Sequence, residues 1–515
     1  MVHGIISARL EDLNALKFRK KPCTGVGRMY RKVTQLRFED FVFPYGELDP
    51  GNEWVKLANL VPWDVAEREY AKQFVDNGHP AHPARIALGS QIIKQKLKCS
   101  DDWVVRHVSE NPYLQYFLGM KEYSSKCPFG ASTMVEFRKR FPPEAIAAIL
   151  EASIPKDESD DDHDDPNGRK PPENQNGMKE TKGDEASGKA ANKGTLIMDA
   201  TCCPADIAFP QDFQLLNHAR ELLEKTIRAI CKEHEWRMPR TRCQQARRDY
   251  LNLSKSKKRT EKAIRKCIRK QLGYIKRDLG YIIGFIRDKG AKLDQAVYDL
   301  LNVLTTLYEQ QLFMYENRTH SIPNKIVNIR QHWVRPIVRG KAHARTEFGA
   351  KVHISMVDGY ARIERISFEA FNEVGDFFKA VEGFKEHYGH YPERVLVDKI
   401  YRNRETIAWC KERGIQITGP ALGRPPKDKE ITKEAKKQEY QDICDRNIVE
   451  GEFGTGKRAY GLNRIMAHLP DTSFCVIGVA LLCMNLAKRL RSLCFHLLCY
   501  WFENQLSALA IQAVA

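Results

Sequence analysis

Three carboxylates, Asp199, Asp398 and Glu450, have the residue type and setting for metal-ion chemistry. Asp199 ends the apolar run TLIMDAT, Asp398 ends RVLVDKIY, and Glu450 lies in RNIVEGEFGTGKRAYGLNRI. Carboxylates drawn together repel unless a cation joins them; with Mg²⁺ they become a ligand set. Two such ions, ~3.5–4 Å apart, activate an attacking oxygen and stabilise a leaving one in phosphodiester chemistry. Each acid alone reads more simply as a turn or cap residue, with Asp206, Asp358 and Glu452 as local competitors. Their joint placement on two strands and a late helix singles them out.

The last of these segments adds two cations. Arg446 lies four residues before Glu450 and Lys457 seven after it, spacings that keep all three on one helical face. Cations beside such an acid can grip phosphates. The plainer alternative is an exposed Arg446–Glu450 pair, worth ~0.3–0.5 kcal/mol. Gly451, Gly454 and Gly456 suit a surface helix poorly, and close approach of DNA is one reason for them. Tyr401 could stack on DNA but is expected to pack on the sheet, and His353 is expected in the core or on the surface. Adjacent Cys202 and Cys203 have no partner that would make a nucleophile, and Gly454–Gly456 does not follow a strand as a nucleotide loop would.

The elements that would position the acids follow from periodicity. TLIMDAT predicts a first strand. FGAKVHISMVDG and YARIERISFEA predict a hairpin turning at Asp358-Gly359. VGDFFKAVEGFKEHYG predicts a helix, RVLVDKIY a strand, NRETIAWCKERG a helix and IQITGP a short strand. A helix containing Arg446–Lys457 and an apolar helical segment close the chain. Between the first strand and the hairpin, Leu272, Ile275, Leu279, Ile282, Ile283 and Ile286 recur at helical spacing, as do Leu300, Val303, Leu304, Leu307 and Leu312. This predicts an antiparallel helical hairpin. With it set aside as an insertion, the order β, β, β, α, β, α, β, α is that of an RNase H-like core, an α/β fold with a mixed sheet. In such a sheet the first and fourth strands are neighbours, which would bring Asp199 and Asp398 together.

Seven segments are expected. An N-terminal extension spans 1–82, a helical helix-turn-helix-like DNA-binding domain 83–155 and an acidic disordered linker 156–194. The core begins over 195–214, is interrupted by the basic helical insertion 215–320 and resumes over 321–471; a C-terminal helical segment spans 472–515. In IALGSQIIKQKLKC, Ile86, Ile92, Ile93 and Leu97 form an apolar face, and Asp101 and Asp102 can cap the helix that follows.

Composition points to a polyanionic partner. The 515 residues carry a net charge of +17, and 42% hydrophobic content excludes wholesale disorder. Within 231–290, nineteen Lys and Arg face six Asp and Glu, so most of the surplus sits in the helical insertion. Lys255, Lys257, Lys258 and Arg259 are its densest cluster and the candidate DNA-backbone contacts. Fourteen cysteines without C-x-x-C spacing argue against a zinc site and for a reduced cytoplasmic, nucleoid-associated chain. The start lacks the features of a secretory signal, and the apolar run 474–487 falls short of the ~20 residues of a membrane span, so no membrane partner is expected.

On these residues the chain resembles the bacterial insertion-sequence transposases of the DDE type. TLIMDAT, RVLVDKIYRNRETIAWCKERGI and RNIVEGEFGTGKRAYGLNRI carry the resemblance. IALGSQIIKQKLKCSDDWVVRHVSENPYLQYFLG is similar to the family's helical N-terminal domain, and FGAKVHISMVDGYARIERISFEAFN to its second and third core strands. The family's last motif is Tyr, two residues, Arg, three residues, Glu, six residues, Lys. Arg446, Glu450 and Lys457 fit it, whereas Ile443 holds the Tyr position and Ile400 stands where Gly usually follows Asp-Lys. The resemblance implies Asp199, Asp398 and Glu450 as catalytic metal ligands, two Mg²⁺ ions (Mn²⁺ substituting), and Arg446 and Lys457 on the DNA. It also implies hydrolysis at each transposon end, joining of the 3′-OH to target DNA, and a homo-oligomer, at least a dimer, on double-stranded DNA. The alternatives are a catalytically inactive DNA-binding relic and an RNase H-like nuclease without strand transfer.

Overall fold

The computed structural model describes residues 28–29, 47–75, 79–155, 192–338, 346–418 and 429–514, with the side chains of 28–29, 79, 429–436, 439 and 496–514 excepted. The expected acidic linker lies outside the described residues save for 192–194. The chain packs as two units, 1–152 and 153–515.

The first unit is helical: α1 (Glu53–Leu60), α2 (Trp63–Ala71), α3 (Ala84–Leu97), α4 (Asp101–Glu110), α5 (Pro112–Phe117), α6 (Ala131–Lys139) and α7 (Pro143–Ala152). Two of these helices lie in the expected N-terminal extension, yet they share the core. Trp54 of α1 and Trp63 of α2 meet Phe117 edge-on, ring centroids 5.2 and 5.5 Å apart. Ile92 and Ile93 are fully buried as the α3 pattern requires, while Leu97, the last residue of the helix, is 41% exposed. The cap of α4 is Ser100, whose side chain accepts from the Trp103 N–H. Asp101 instead sits in the first turn, where a carboxylate meets the positive end of the helix dipole, and pairs with Lys94 at 2.6 Å and Arg138 at 2.7 Å.

The second unit is built on a mixed sheet of β1 (Thr195–Pro204), β2 (Arg335–Val338), β3 (Thr346–Val357), β4 (Tyr360–Ser367), β5 (Arg394–Leu396) and β6 (Gln416–Ile417). The strands run β2–β3–β1–β5–β6, with β4 also paired to β3. β1 is antiparallel to β3 and parallel to β5, and β5 is parallel to β6. This arrangement is consistent with an RNase H-like core, and the first and fourth expected strands, β1 and β5, are indeed neighbours. β2 was not expected; four residues carry too little pattern to announce a strand.

The β3–β4 hairpin turns at Asp358-Gly359 as expected. Both residues have positive φ, 47° and 74°, which the right-handed twist of a two-residue hairpin demands. Gly349 of β3 lies opposite Pro204, so close that any side chain there would collide with the Cys203 carbonyl. Against the sheet pack α12 (Phe377–Tyr388) and α13 (Arg404–Glu412), through a core including Leu196, Met198, Val395, Phe377, Phe384 and Cys410.

Four helices lie between β1 and β2, not the two of the expected hairpin: α8 (Asp212–Glu233), α9 (Cys243–Ser254), α10 (Glu261–Lys289) and α11 (Gln295–Glu316). The apolar stripe Leu272, Ile275, Leu279 and Ile282 of α10 shares one core with Leu216, Leu223 and Ile227 of α8 and with Leu304 and Leu307 of α11. Periodicity located both stripes but not the α8 stripe between 216 and 227, which takes part of α10's face. Ile283, expected inside, is 40% exposed.

The chain closes with α14 (Lys429–Ala459) and α15 (Pro470–Val514). Against expectation, 470–495 of α15 is long and apolar enough by length and composition to cross a membrane. Counting uninterrupted apolar residues missed this, because the helix runs on through Asn485 and Lys488. Of its most apolar stretch 67% is buried inside the protein, as in a core helix.

Candidate active site

β1 and β5 pair in parallel up to Ile197 and Leu396. Two residues further on each strand stand Asp199 and Asp398, level with each other if the register is continued. Met198 and Ala200 are buried on either side of half-buried Asp199, whose Oδ1 accepts from the Ala200 N–H at 2.7 Å. Asp398 is exposed and begins a single 3₁₀ turn, Lys399–Tyr401, its Oδ1 accepting from the Lys399 N–H at 2.7 Å. The plain reading of Asp398 as a cap therefore holds, alongside its place at the sheet end.

α14 reaches this end through a run of ion pairs. Arg394, the first residue of β5, meets Asp442 at 3.3 Å and Asp445 at 3.4 Å. Arg446 then reaches Asp398 at 3.3 Å. Glu450 follows one turn later, ~5–6 Å along the axis, and is exposed. Val449, fully buried, and Phe453 anchor the inner face of the helix at this level. Arg446 is thus aimed at Asp398 and not, as the plainer alternative had it, at Glu450.

Of the three α14 glycines, Gly456 is a packing residue, since a Cβ there would press on Leu462 and Met484. Gly451, beside Glu450, has open space where its Cβ would be. The competing acids have other tasks. Asp206 pairs with Arg464 at 2.6 Å, Asp358 makes the hairpin turn, and Glu452 is half-buried near Lys488. Cys202 and Cys203 are both buried.

Beneath the acids lies a buried polar network that residue spacing did not reveal. Tyr401, fully buried as expected, has its hydroxyl 3.0 Å from His353 Nε2 and 3.2 Å from Glu373 Oε2. His353 Nδ1 faces Asp376 Oδ2 at 3.4 Å, and Lys351 holds Glu373 at 2.6 Å. The one Tyr401 proton serves either acceptor, His353 or Glu373. Burial lowers the His353 pKa, so its ring is neutral at neutral pH. Burial, then the Glu373 and Asp199 charges, push the Tyr401 phenol far above its ordinary range. Since the Tyr401 N–H donates to the Asp398 carbonyl at 3.1 Å, the network fixes the turn that carries Asp398. The available signal was Tyr401 three residues after Asp398 with His353 on a central strand.

Among the described residues, no three His, Cys, Asp or Glu side chains stand close enough together to hold a metal ion. Asp199 stands in the middle of β1, which runs on to Pro204 instead of ending at the acid, Asp398 lies just past the end of β5, and Glu450 lies one turn beyond Arg446 on α14. As a donor set they fit a hard divalent cation, being carboxylate oxygens only. Arg446 pairs with the Asp398 carboxylate.

The remaining predicted contacts lie elsewhere. Lys255, Lys257, Lys258 and Arg259 are exposed in the turn between α9 and α10, and Lys457 is half-buried near the end of α14. Arg259 is anchored, donating to the Ser254 carbonyl at 2.9 Å and lying over the Phe213 ring.

Comparison with known proteins bears on both units. Residues 395–487, from β5 into α15, match a family described as Transposase DDE domain. Residues 44–140 of the first unit match one described as Transposase domain (DUF772). A relative from Rhizobium meliloti, named "Uncharacterized protein ORF8 in nfe locus", is 33% identical over 107 residues, 21% of this chain and 52% of the relative. The chain thus spans about half the length of that curated relative. No solved structure matches the chain. Each unit thus carries a stretch that matches a transposase domain, that of the second unit being of the DDE type.

Proposed function

We propose that the chain is the DNA transposase of an insertion sequence. It binds the element's terminal inverted repeats, cuts a phosphodiester at each end and joins the freed 3′-OH to target DNA, acting as at least a dimer. The observation that carries this reading is Asp199 and Asp398 on neighbouring parallel strands, with Arg446 of α14 on Asp398 and Glu450 one turn beyond.

In this reading Asp199, Asp398 and Glu450 would hold Mg²⁺ ions. When bound, these would supply Lewis-acid activation of the attacking oxygen and stabilise the leaving one. Arg446 supplies fixed positive charge beside Asp398, where a guanidinium can take two phosphate oxygens at once. Lys457, two turns past Glu450, extends that grip along the strand. Open space beside Gly451 lets a backbone come close to the helix. The Tyr401–His353 network keeps the Asp398 turn from shifting as its charge partners change. The exposed Lys255–Arg259 turn binds phosphates away from the reacting bond, where counterion release drives affinity.

The deciding experiment uses end-labelled DNA flanking the gene, a circular target plasmid and Mg²⁺, with Asp199→Ala as control. Cleavage and joined product from wild type alone supports the transposase. Cleavage without joining gives a nuclease, and binding without either product gives the non-catalytic protein.

A further inference from the structure

At one end of the helical insertion is a cleft of about 650 Å³, within the ~300–1,000 Å³ range of small-molecule sites. Its walls are the first turn of α8, the first turns of α10 and the end of α11. Lys262, Arg265, Arg318 and Arg259 face it, against the acids Asp212 and Glu261. Asp212 is already engaged by the Gln311 amide at 3.0 Å and Lys325 at 3.1 Å. Four cations are therefore left against one free carboxylate. Among the described residues, neither Lys262 nor Arg318 has an ion-pair partner.

The cleft also carries flat surfaces. The Arg265 guanidinium lies 4.1 Å from the centre of the Tyr315 ring, and that of Arg259 lies 5.6 Å from the Phe213 ring. Ile264, Ile268 and Met314 form an apolar lining beside them. Guanidinium planes backed by aromatic rings, with further cations around them, suit a nucleobase attached to its phosphate. In a duplex the base faces are covered by their neighbours, and the cleft is far too small to admit one. Lys255, Lys257 and Lys258 continue from Arg259 along the same turn and would carry the adjoining backbone.

We propose that this cleft takes an unpaired nucleotide at the end of a DNA strand. The proposal rests on the DNA reading given above and names where a strand end parted from its duplex is held.

The test is fluorescence anisotropy of the full chain in EDTA, so that no cleavage enters the readout. The probes are a blunt duplex and the same duplex with a 3′ overhang of about six thymidines. Wild type should bind the overhang about tenfold more tightly than the blunt form. Lys262→Glu with Arg318→Glu, both exposed, should abolish that preference while changing blunt binding less than about threefold. Tyr315→Leu, which keeps apolar volume and removes the ring, should do the same. No preference in wild type, or equal loss on both probes in the variants, would overturn the proposal and leave duplex binding standing. Displacement of the overhang by free dTMP at comparable concentration would reassign the cleft to a free nucleotide. Failure to bind either probe would overturn the DNA reading, and the cleft with it.

Discussion

The helical insertion and the acidic end of the sheet distribute charge in opposite senses. The insertion encloses a few charges and exposes a dense group of cations. Arg220, 1% exposed, is enclosed with Glu224 at 2.5 Å, and Asp278 is fully buried, while Lys255, Lys257, Lys258 and Arg259 project to solvent. At the sheet end Asp398 and Glu450 are exposed, and the groups buried beneath them, Tyr401 and His353, are held in their uncharged forms. Burying charge costs free energy unless it is paired, and both regions pair charges that they bury, Arg220 with Glu224 in the insertion and Asp442 with Arg394 beside the sheet. The difference assigns work. One region presents a positive surface on an apolar bundle; the other presents carboxylates, that of Asp398 on a turn held from below.

The largest expected effect would break the comparison at the sheet end. Asp398→Asn keeps the turn's cap acceptor but removes the charge. It should lower DNA cleavage by ~10³-fold or more, equivalent to ~4 kcal/mol of lost transition-state stabilisation, with DNA affinity unchanged. Unchanged cleavage would remove Asp398 from the site. Next comes the insertion. Changing Lys255, Lys257, Lys258 and Arg259 to Gln should weaken DNA binding roughly 10–100-fold and flatten the slope of log K against log salt by about 3. An unaltered slope would make that turn a merely solvated surface.

Tyr401→Phe sharpens the contrast, because it removes the one hydroxyl shared between fully buried His353 Nε2 and half-buried Glu373 Oε2. A destabilisation of ~1–3 kcal/mol in chemical denaturation is expected, with a loss of cleavage larger than any loss of DNA binding. An equal fall in both would leave Tyr401 a packing residue only. The smallest effect concerns Asp278, whose pKa burial pushes up to about 7. A raised acid pKa means that the folded state holds the proton more tightly. This contribution to stability is therefore full below the ordinary Asp value and is lost as pH rises to about 7. Asp278→Asn should raise the melting temperature at pH 8 by a few degrees and leave it unchanged at pH 4. An equal shift at both pH values would show that the charge of Asp278 is not what matters.

Sequence pattern made the sheet end legible where the chemistry is local. The Asp358-Gly359 hairpin, the strand before Asp398 and the helix through Arg446 and Lys457 all stand as periodicity and turn chemistry place them. What it could not supply was partnership. Apolar spacing marks a buried face without saying which helix buries it, so the α8–α10 contact was missed and a four-helix insertion read as a hairpin. The same limit hid Trp54 and Trp63, whose helices precede their core partner Phe117 by more than fifty residues. The pairing of Arg446 with Asp398, and of Tyr401 with His353 and Glu373, joins residues distant in the chain, and no spacing rule encodes them. Asp199 and Asp398 were an exception, because strand order alone makes their strands neighbours.

The central claim is that Asp199, Asp398 and Glu450 share one divalent-ion site, and backbone cleavage by bound iron tests it directly. Fe²⁺ substituted for Mg²⁺, with ascorbate and peroxide, generates hydroxyl radicals that cut the chain beside the ion. The account predicts fragments ending near residues 199, 398 and 450, suppressed by excess Mg²⁺ and lost in Asp398→Asn. Cuts elsewhere, or the same cuts in the mutant, would contradict it.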